Sequence, residues 1–84
     1  MTFSVGGIRI NNNDAEARRI LSALREAVAS YGVEIEGGDP DHLTHVMVLD
    51  RANATGGDLP TFLRRHLSDI DPNWTAHLTV LDPD

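Results

Sequence analysis

The residues best suited to chemistry in this sequence are its histidines and arginines. The chain has four histidines and seven basic residues, all of them arginine, and it has no cysteine. Without lysine there is no Schiff-base chemistry and no phosphate-binding P-loop. Without cysteine there is no disulfide, no thiolate metal site and no thiol nucleophile. Any chemistry would therefore rest on imidazole, guanidinium, carboxylate and hydroxyl groups.

One pair of histidines has the spacing of metal ligands. His42 and His45 stand three residues apart, and on a strand such residues point to opposite faces, so they could share an ion only if His42 bends back from a turn. The nearby Asp39 and Asp41 flank a proline in a predicted turn. Aspartate is favoured in turns because its side chain can form a hydrogen bond with the nearby backbone. Since no third ligand is close in sequence, we predict neither a metal nor a cofactor.

A second constellation suits an anion. Arginine supplies a fork of donors and each histidine can add one, so Arg9, His45 and His77 could together bind a phosphate or a carboxylate. They fall on three predicted strands, and neighbouring strands lie about 4.8 Å apart. The alternative is a solvated face on which Glu36 pairs with His45. A slip of one residue in strand register would move all these side chains to the other face.

Catalytic motifs are not found. The serines lack the context of a nucleophile elbow. Gly6-Gly7 and Gly37-Gly38 do not lead directly into a helix, as a phosphate loop would. We therefore expect no catalytic residue.

Two helices are predicted, over residues 14–31 and 59–69. The first has apolar residues at spacings of three and four, with Asn13 as its N-cap and Gly32 just after its end. The second follows Asp58 and has a proline in its first turn, where the missing N–H is tolerated. Four strands are predicted over residues 3–10, 33–36, 43–50 and 74–82, with a bulge at the paired glycines of the first.

The order βαββαβ predicts an α+β two-layer sandwich. It resembles the ferredoxin-like fold, with an antiparallel sheet of strand order 4-1-3-2 and both helices on one face. The resemblance is to a fold and not to a family. Two alternatives remain open. One is a sandwich with another strand order, and the other is a fold in which Val33 to Glu36 is only a turn.

Length and charge limit the classes of partner. The chain has 84 residues, which is one domain (1–84), and 13 acidic against 7 basic residues give a net charge of −6. This balance argues against nucleic-acid binding, which needs a field of positive charge. No apolar run is long enough to span a membrane and no basic, apolar leader is present, so we expect a cytoplasmic protein.

The predicted sheet leaves one face without helices. We expect Met47, Leu49 and Leu81 to form an aliphatic surface there, and such surfaces usually mark an interface. Because homodimers are the commonest assemblies, the preferred function is a non-catalytic binding or assembly module that dimerises through this face. An acidic regulator or inhibitor of another protein is one version of it. The alternative is that Met47, Leu49 and Leu81 are ordinary apolar residues scattered on the surface and form no interface. The functional alternative is an anion-binding domain or cofactor-free enzyme that uses Arg9, His45 and His77.

Overall fold

Strands and helices alternate along the computed structural model, which describes residues 4–12, 14–37 and 44–81. In these residues the elements are β1 (Ser4–Ile10), α1 (Ala15–Ala29), β2 (Val33–Glu36), β3 (His45–Asp50), α2 (Leu59–Ile70), a short 3₁₀ helix (Trp74–Ala76) and β4 (Leu78–Leu81). The predicted bounds of the two helices and of the second strand therefore hold to within two residues.

The strands form one antiparallel sheet in the order β2-β3-β1-β4, which reads β4-β1-β3-β2 from the opposite edge. Since β1 and β2 both run antiparallel to β3, they run parallel to each other. The same holds for β3 and β4 on either side of β1. Each helix thus connects two parallel strands that are separated by a third. The predicted α+β class with an open antiparallel sheet and two helices is confirmed.

The core lies between the helices and one face of the sheet. Alternate residues of every strand are buried there, and both helices bury an apolar stripe against them, as the spacing of three and four predicts. Leu24 is fully buried at the centre of α1, whereas Phe62 is only partly buried at the margin of the core. The strand residues of this core are Ile8, Ile10, Val33, Ile35, Val46, Val48, Leu78 and Val80.

The start of α1 differs from the prediction by one residue. Asp14 is the N-cap, because its carboxylate accepts the backbone N–H of Ala17 at 2.8 Å. Asn13, the predicted cap, lies outside the described residues. At the other end Gly32 has a φ of +76°, a left-handed conformation that favours glycine after a helix.

The predicted bulge in β1 is wrong. From Ser4 opposite Asp50 to Arg9 opposite His45 the register with β3 advances without interruption. The paired glycines serve close packing instead. A Cβ on Gly6 would stand 3.0 Å from Leu59 Cδ2 of α2, on the helix-covered face. Strict alternation then places Val5 on the opposite face of the sheet.

The last strand is shorter than predicted because a turn precedes it. The Asp71 carboxylate accepts the backbone N–H of Asn73 at 2.9 Å, and the Asp71 carbonyl accepts that of Trp74 at 3.1 Å. The chain then forms one turn of 3₁₀ helix instead of extending. Trp74 still packs in the core, and its indole N–H donates to Ser68 Oγ at 3.1 Å. His77 lies in the connection that follows and not on the sheet.

Candidate functional site

The centre of the uncovered sheet face is a row of residues across all four strands. The register places Met47 between Glu36 and Gly7, and Leu81 on the other side of Gly7. Leu81 lies over the glycine, since its Cδ1 is 3.2 Å from the position that a Cβ on Gly7 would occupy. Val5 stands on the same face of β1, two residues before Gly7.

Three apolar side chains on this face are open to solvent. The exposed fractions are 49% for Val5, 50% for Met47 and 41% for Leu81. We call these three residues, which surround Gly7, the apolar patch. Both described helices pack against the other face of the sheet, so neither of them covers the patch.

Leu49 was predicted to share this exposed surface, and the structure corrects that expectation. It is on the uncovered face but only 7% exposed. Its cross-strand neighbours are Val5 on one side and Glu34 on the other, and Glu34 is held by Arg51 at 3.0 Å. Flanked in this way within the monomer, Leu49 has little area left for a partner.

Charges of both signs border the apolar patch. Glu34 and Glu36 are exposed on the edge strand β2, while Arg9 and His45 are exposed beside each other on β1 and β3. The acids therefore line one edge of the sheet, and Arg9 and His45 occupy one end of its two central strands.

The structure brings two of the three predicted anion-binding residues together. Arg9 pairs directly with His45 on one side and with Thr79 on the other. His77 is not in this row, because β4 begins only at the next residue. Its Nδ1 is instead 3.9 Å from a carboxylate oxygen of Asp14, the cap of α1.

Metal-binding groups are not gathered in the described ranges, where no three histidine, aspartate or glutamate side chains could hold an ion. His42, Asp39 and Asp41, which suggested a metal pair and a turn, lie outside those ranges. Within the same described ranges, no helix has both the length and the apolar character needed to cross a membrane.

Asp50 is a buried acid that the sequence patterns did not reveal. Its carboxylate accepts the N–H of Ala54 at 2.9 Å, the N–H of Thr55 at 3.0 Å and the hydroxyl of Thr55 at 2.5 Å. Burial raises the pKa of Asp50, but the hydrogen bonds from Thr55, Ala54 and Asn53 outweigh it and hold the pKa below its ordinary value. With both oxygens engaged, Asp50 anchors a loop and does not act as a base. An aspartate as the last residue of an apolar strand, just before a loop of small and polar residues, was the available signal.

Two depressions are lined by residues of the described part of the chain, and neither lies at the apolar patch. One, of about 200 Å³, is formed at the start of α2 by Ala54, Thr55, Asp58, Thr61, Phe62 and Arg65. The other, of about 220 Å³, lies beside β4 and is lined by Arg64, Trp74, Thr75, Leu78, Thr79 and Val80. Neither of the two is lined by Arg9 or His45.

Comparison with known proteins finds no matching family model, no matching curated protein and no matching solved structure. The function of the chain is therefore inferred from its own surface.

Proposed function

We propose that this chain is a non-catalytic assembly module that forms a homodimer through the uncovered face of its sheet. The observation that supports this most directly is the apolar patch of Val5, Met47 and Leu81, each exposed by 41% or more. Contiguous exposed apolar surface on a small domain typically marks an interaction site. A second copy offers the same surface and covers it by two-fold symmetry.

The dimensions of the face predict how tight the dimer is. Four strands about 4.8 Å apart span roughly 19 Å, and five residues of about 3.3 Å span roughly 17 Å, so each copy offers roughly 320 Å² in projection. The two faces together fall below the 1,200–2,000 Å² of accessible surface that stable complexes typically bury. This holds even though the accessible surface of protruding side chains is larger than their projected area. We therefore expect a micromolar dimer in exchange with the monomer.

The charges around the patch favour self-association. In an isologous interface one surface meets its own copy, so a border of a single sign would repel itself. Here Glu36 lies on one border and Arg9 on another. A rotation about an axis in the interface can bring Arg9 of one protomer toward Glu36 of the other, which favours one relative orientation.

The fold supports the same proposal. We assign the domain to the ferredoxin-like fold on the strand order and the two split βαβ units. Both helices then serve as connections over one face, so the other face is available for assembly along its whole width.

Sedimentation equilibrium of the wild type and of Met47→Asp tests this proposal. We expect the wild type to dimerise between about 1 and 100 μM. Met47→Asp should be a folded monomer, because a charge tolerated in water is destabilising in an apolar interface. Ser22→Asp adds the same charge on the exposed surface of α1 and should leave the dimer unchanged.

Two outcomes would contradict the proposal. A wild type that stays monomeric up to millimolar concentration would exclude self-association as the function. A dimer that survives in Met47→Asp, with the helical content of the wild type by circular dichroism, would exclude the uncovered face as the contact.

A second candidate function is weak anion binding, and the direct pairing of Arg9 with His45 favours it. The Arg9 guanidinium and the neighbouring His45 imidazole could converge as donors on a phosphate or a carboxylate. Titration with inorganic phosphate at pH 6, followed by the amide signals of Arg9 and His45, tests it. Anion binding would be rejected if no signal shift saturates below about 10 mM phosphate. It would also be rejected if Arg9→Gln shows the same shift as the wild type.

A further inference from the structure

We infer that the two protomers stack with their strands crossing nearly at right angles, so that Glu36 of each copy meets Arg9 of the other. Sheets that pack face to face fall into two classes, in which the strands are either nearly aligned or nearly perpendicular. This crossed arrangement rests on the proposed homodimer, and it assigns a contact in the second copy to each border of the uncovered face.

Across the strands, the uncovered face ends in one acidic and one apolar border. Its centre is the midpoint between Met47 and Gly7, which pair directly. Glu36 is the next residue beyond Met47, and Leu81 is the next beyond Gly7. Since neighbouring strands lie about 4.8 Å apart, Glu36 and Leu81 are each roughly 7 Å from the centre. The acidic and the apolar border are therefore equally distant from it.

Along the strands, the face has one basic and one apolar border. Arg9 pairs with His45 at one end, and Val5 pairs with Leu49 at the other. Both pairs are two residues from the central pair, which is roughly 7 Å at about 3.3 Å per residue. All four borders are thus at the same distance from the centre, so a right-angled crossing superposes borders across the strands on borders along them.

One two-fold axis matches every border with a favourable one. An axis in the interface that bisects the angle between the acidic and the basic border exchanges these two borders, so Glu36 of each protomer meets Arg9 of the other. The same rotation exchanges the two apolar borders, and Leu81 of each protomer then packs on Val5 of the other. The two Met47 side chains meet at the centre. Opposite charges and apolar surfaces are therefore paired throughout.

The other symmetric arrangements leave Glu36 against an unfavourable surface. An axis along the strands places Glu36 of one copy over Leu81 of the other, and an axis across the strands places it over the second Glu36. The remaining diagonal axis places it over Val5. A carboxylate is destabilising on an apolar surface, and two carboxylates repel each other. Charge complementarity therefore selects the crossed arrangement.

Arg9 and Glu36 are both accessible for this contact. Both residues are exposed, and their strands are separated by β3. The register places their Cα atoms roughly 12 Å apart in one chain, and no ion pair joins them there. Glu34, in contrast, is already held by Arg51 at 3.0 Å. A second copy in the crossed arrangement gives Arg9 and Glu36 the opposite charge that neither contacts within its own chain.

Exchanging the two charges tests the arrangement by sedimentation equilibrium. Arg9→Glu and Glu36→Arg should each weaken the dimer roughly 5-fold or more, because each places two pairs of like charges in the interface. The double variant Arg9→Glu/Glu36→Arg restores opposite charges and should dimerise within about 2-fold of the wild type. Glu36→Arg also lowers the net negative charge, so general repulsion between acidic protomers would predict a tighter dimer instead.

Two variants on α1 provide the matched controls. Arg25→Glu and Glu26→Arg make the same changes of charge at exposed positions of this helix, and they should leave the dimer within about 2-fold of the wild type. Circular dichroism checks that each variant keeps the helical content of the wild type. A double variant as weak as Arg9→Glu or Glu36→Arg alone would overturn the crossed arrangement.

Contacts between protomers can also be measured in the wild type, without any substitution. In a dimer mixed from isotope-labelled and unlabelled chains, isotope-filtered NOE spectra detect only contacts between copies. We expect contacts between the methyl groups of Val5 in one copy and Leu81 in the other. Contacts between the two Leu81 residues would place the axis across the strands, and contacts of Val5 with Leu49 alone would place it along them. Either result would overturn the crossed arrangement.

The same experiments separate failure of the crossed arrangement from failure of the proposed homodimer. A wild type that stays monomeric up to millimolar concentration overturns both. A dimer that Met47→Asp dissociates, but that the exchange of charges at Arg9 and Glu36 does not restore, overturns the crossed arrangement alone.

Discussion

Replacing Asp50 with asparagine tests how the loop before α2 is held. The Asp50 side chain is fully buried and accepts three hydrogen bonds, from the N–H of Ala54 and from the N–H and hydroxyl of Thr55. Asparagine has the same shape but only one acceptor oxygen. Whichever way the amide is turned, its NH₂ group would face a backbone N–H, either that of Ala54 or that of Thr55, and one donor would lose its acceptor.

The magnitude follows from this geometry. A hydrogen bond to a charged group contributes roughly 1.5–3 kcal/mol, and an unpaired buried donor is itself destabilising, so we expect Asp50→Asn to lose roughly 2–4 kcal/mol. At roughly 0.05–0.15 kcal/mol per residue, a domain of this length has about 4–13 kcal/mol in total. The substitution therefore removes a substantial part of the free energy of unfolding.

Urea unfolding followed by fluorescence measures the effect, because the chain has a single tryptophan and Trp74 is buried. With an m-value of about 1 kcal/mol per M, the midpoint should fall by roughly 2–4 M. All variants are compared at one protein concentration, since self-association adds to apparent stability. The control is Asp58→Asn, at an exposed aspartate that makes no side-chain cap bond to α2.

The pH dependence of stability provides a second measurement. The pKa of Asp50 is lower in the folded chain than its ordinary value. Its stabilising contribution is therefore complete above the unfolded pKa of about 4 and is lost as the pH falls through the folded pKa. When the pH falls below about 4, the free energy of unfolding of Asp50→Asn should therefore decrease by less than that of the wild type. Some loss should remain, because hydrogen bonding by the Asn73 N–H also lowers the pKa of Asp71.

An Asp50→Asn midpoint equal to that of Asp58→Asn would refute this account of the loop. Unchanged acid sensitivity in Asp50→Asn would refute the lowered pKa specifically.

Three further substitutions test the packing of the core and of the two β1 glycines by the same urea assay. Leu24→Ala should reduce the free energy of unfolding by roughly 2–5 kcal/mol, because Leu24 is fully buried, and an unchanged midpoint would contradict the position of α1. Gly6→Ala should be destabilising by about 1–3 kcal/mol, since its new methyl meets the buried Leu59. Gly7→Ala should change stability by less than about 0.5 kcal/mol, because the half-exposed Leu81 can move aside; equal effects of the two alanines would count against this packing.

Much of the fold was predictable because its signals are local. An apolar side chain recurring at spacings of three and four requires a helix with one buried face, and this predicted α1 around Leu24. Alternation in Val33 to Glu36 predicted β2 with its observed bounds. The order of the elements then favoured an antiparallel sheet with two helices, since short connections and right-handed crossovers leave few other arrangements.

The start of β4 was not predictable from alternation. The residues from Trp74 to Val80 alternate as a strand would. The chain nonetheless forms a 3₁₀ turn there, closed by backbone hydrogen bonds from Ala76 to Asn73 and from His77 to Trp74, directly after a turn in which the Asp71 carboxylate accepts the N–H of Asn73. This difference removed His77 from the sheet and from the candidate anion site. Local turn hydrogen bonds thus outweighed a pattern spread over several residues.

The surface of the uncovered face was decided by tertiary structure alone. The sequence placed Leu49 and Met47 on the same face, two residues apart, and nothing local distinguishes them. Leu49 is buried because Val5 and Glu34 flank it across the sheet, while Met47 stands beside Gly7 and stays exposed. Periodicity determines which way a side chain points, but its exposure depends on neighbours from distant parts of the chain, and only strand pairing brings those together.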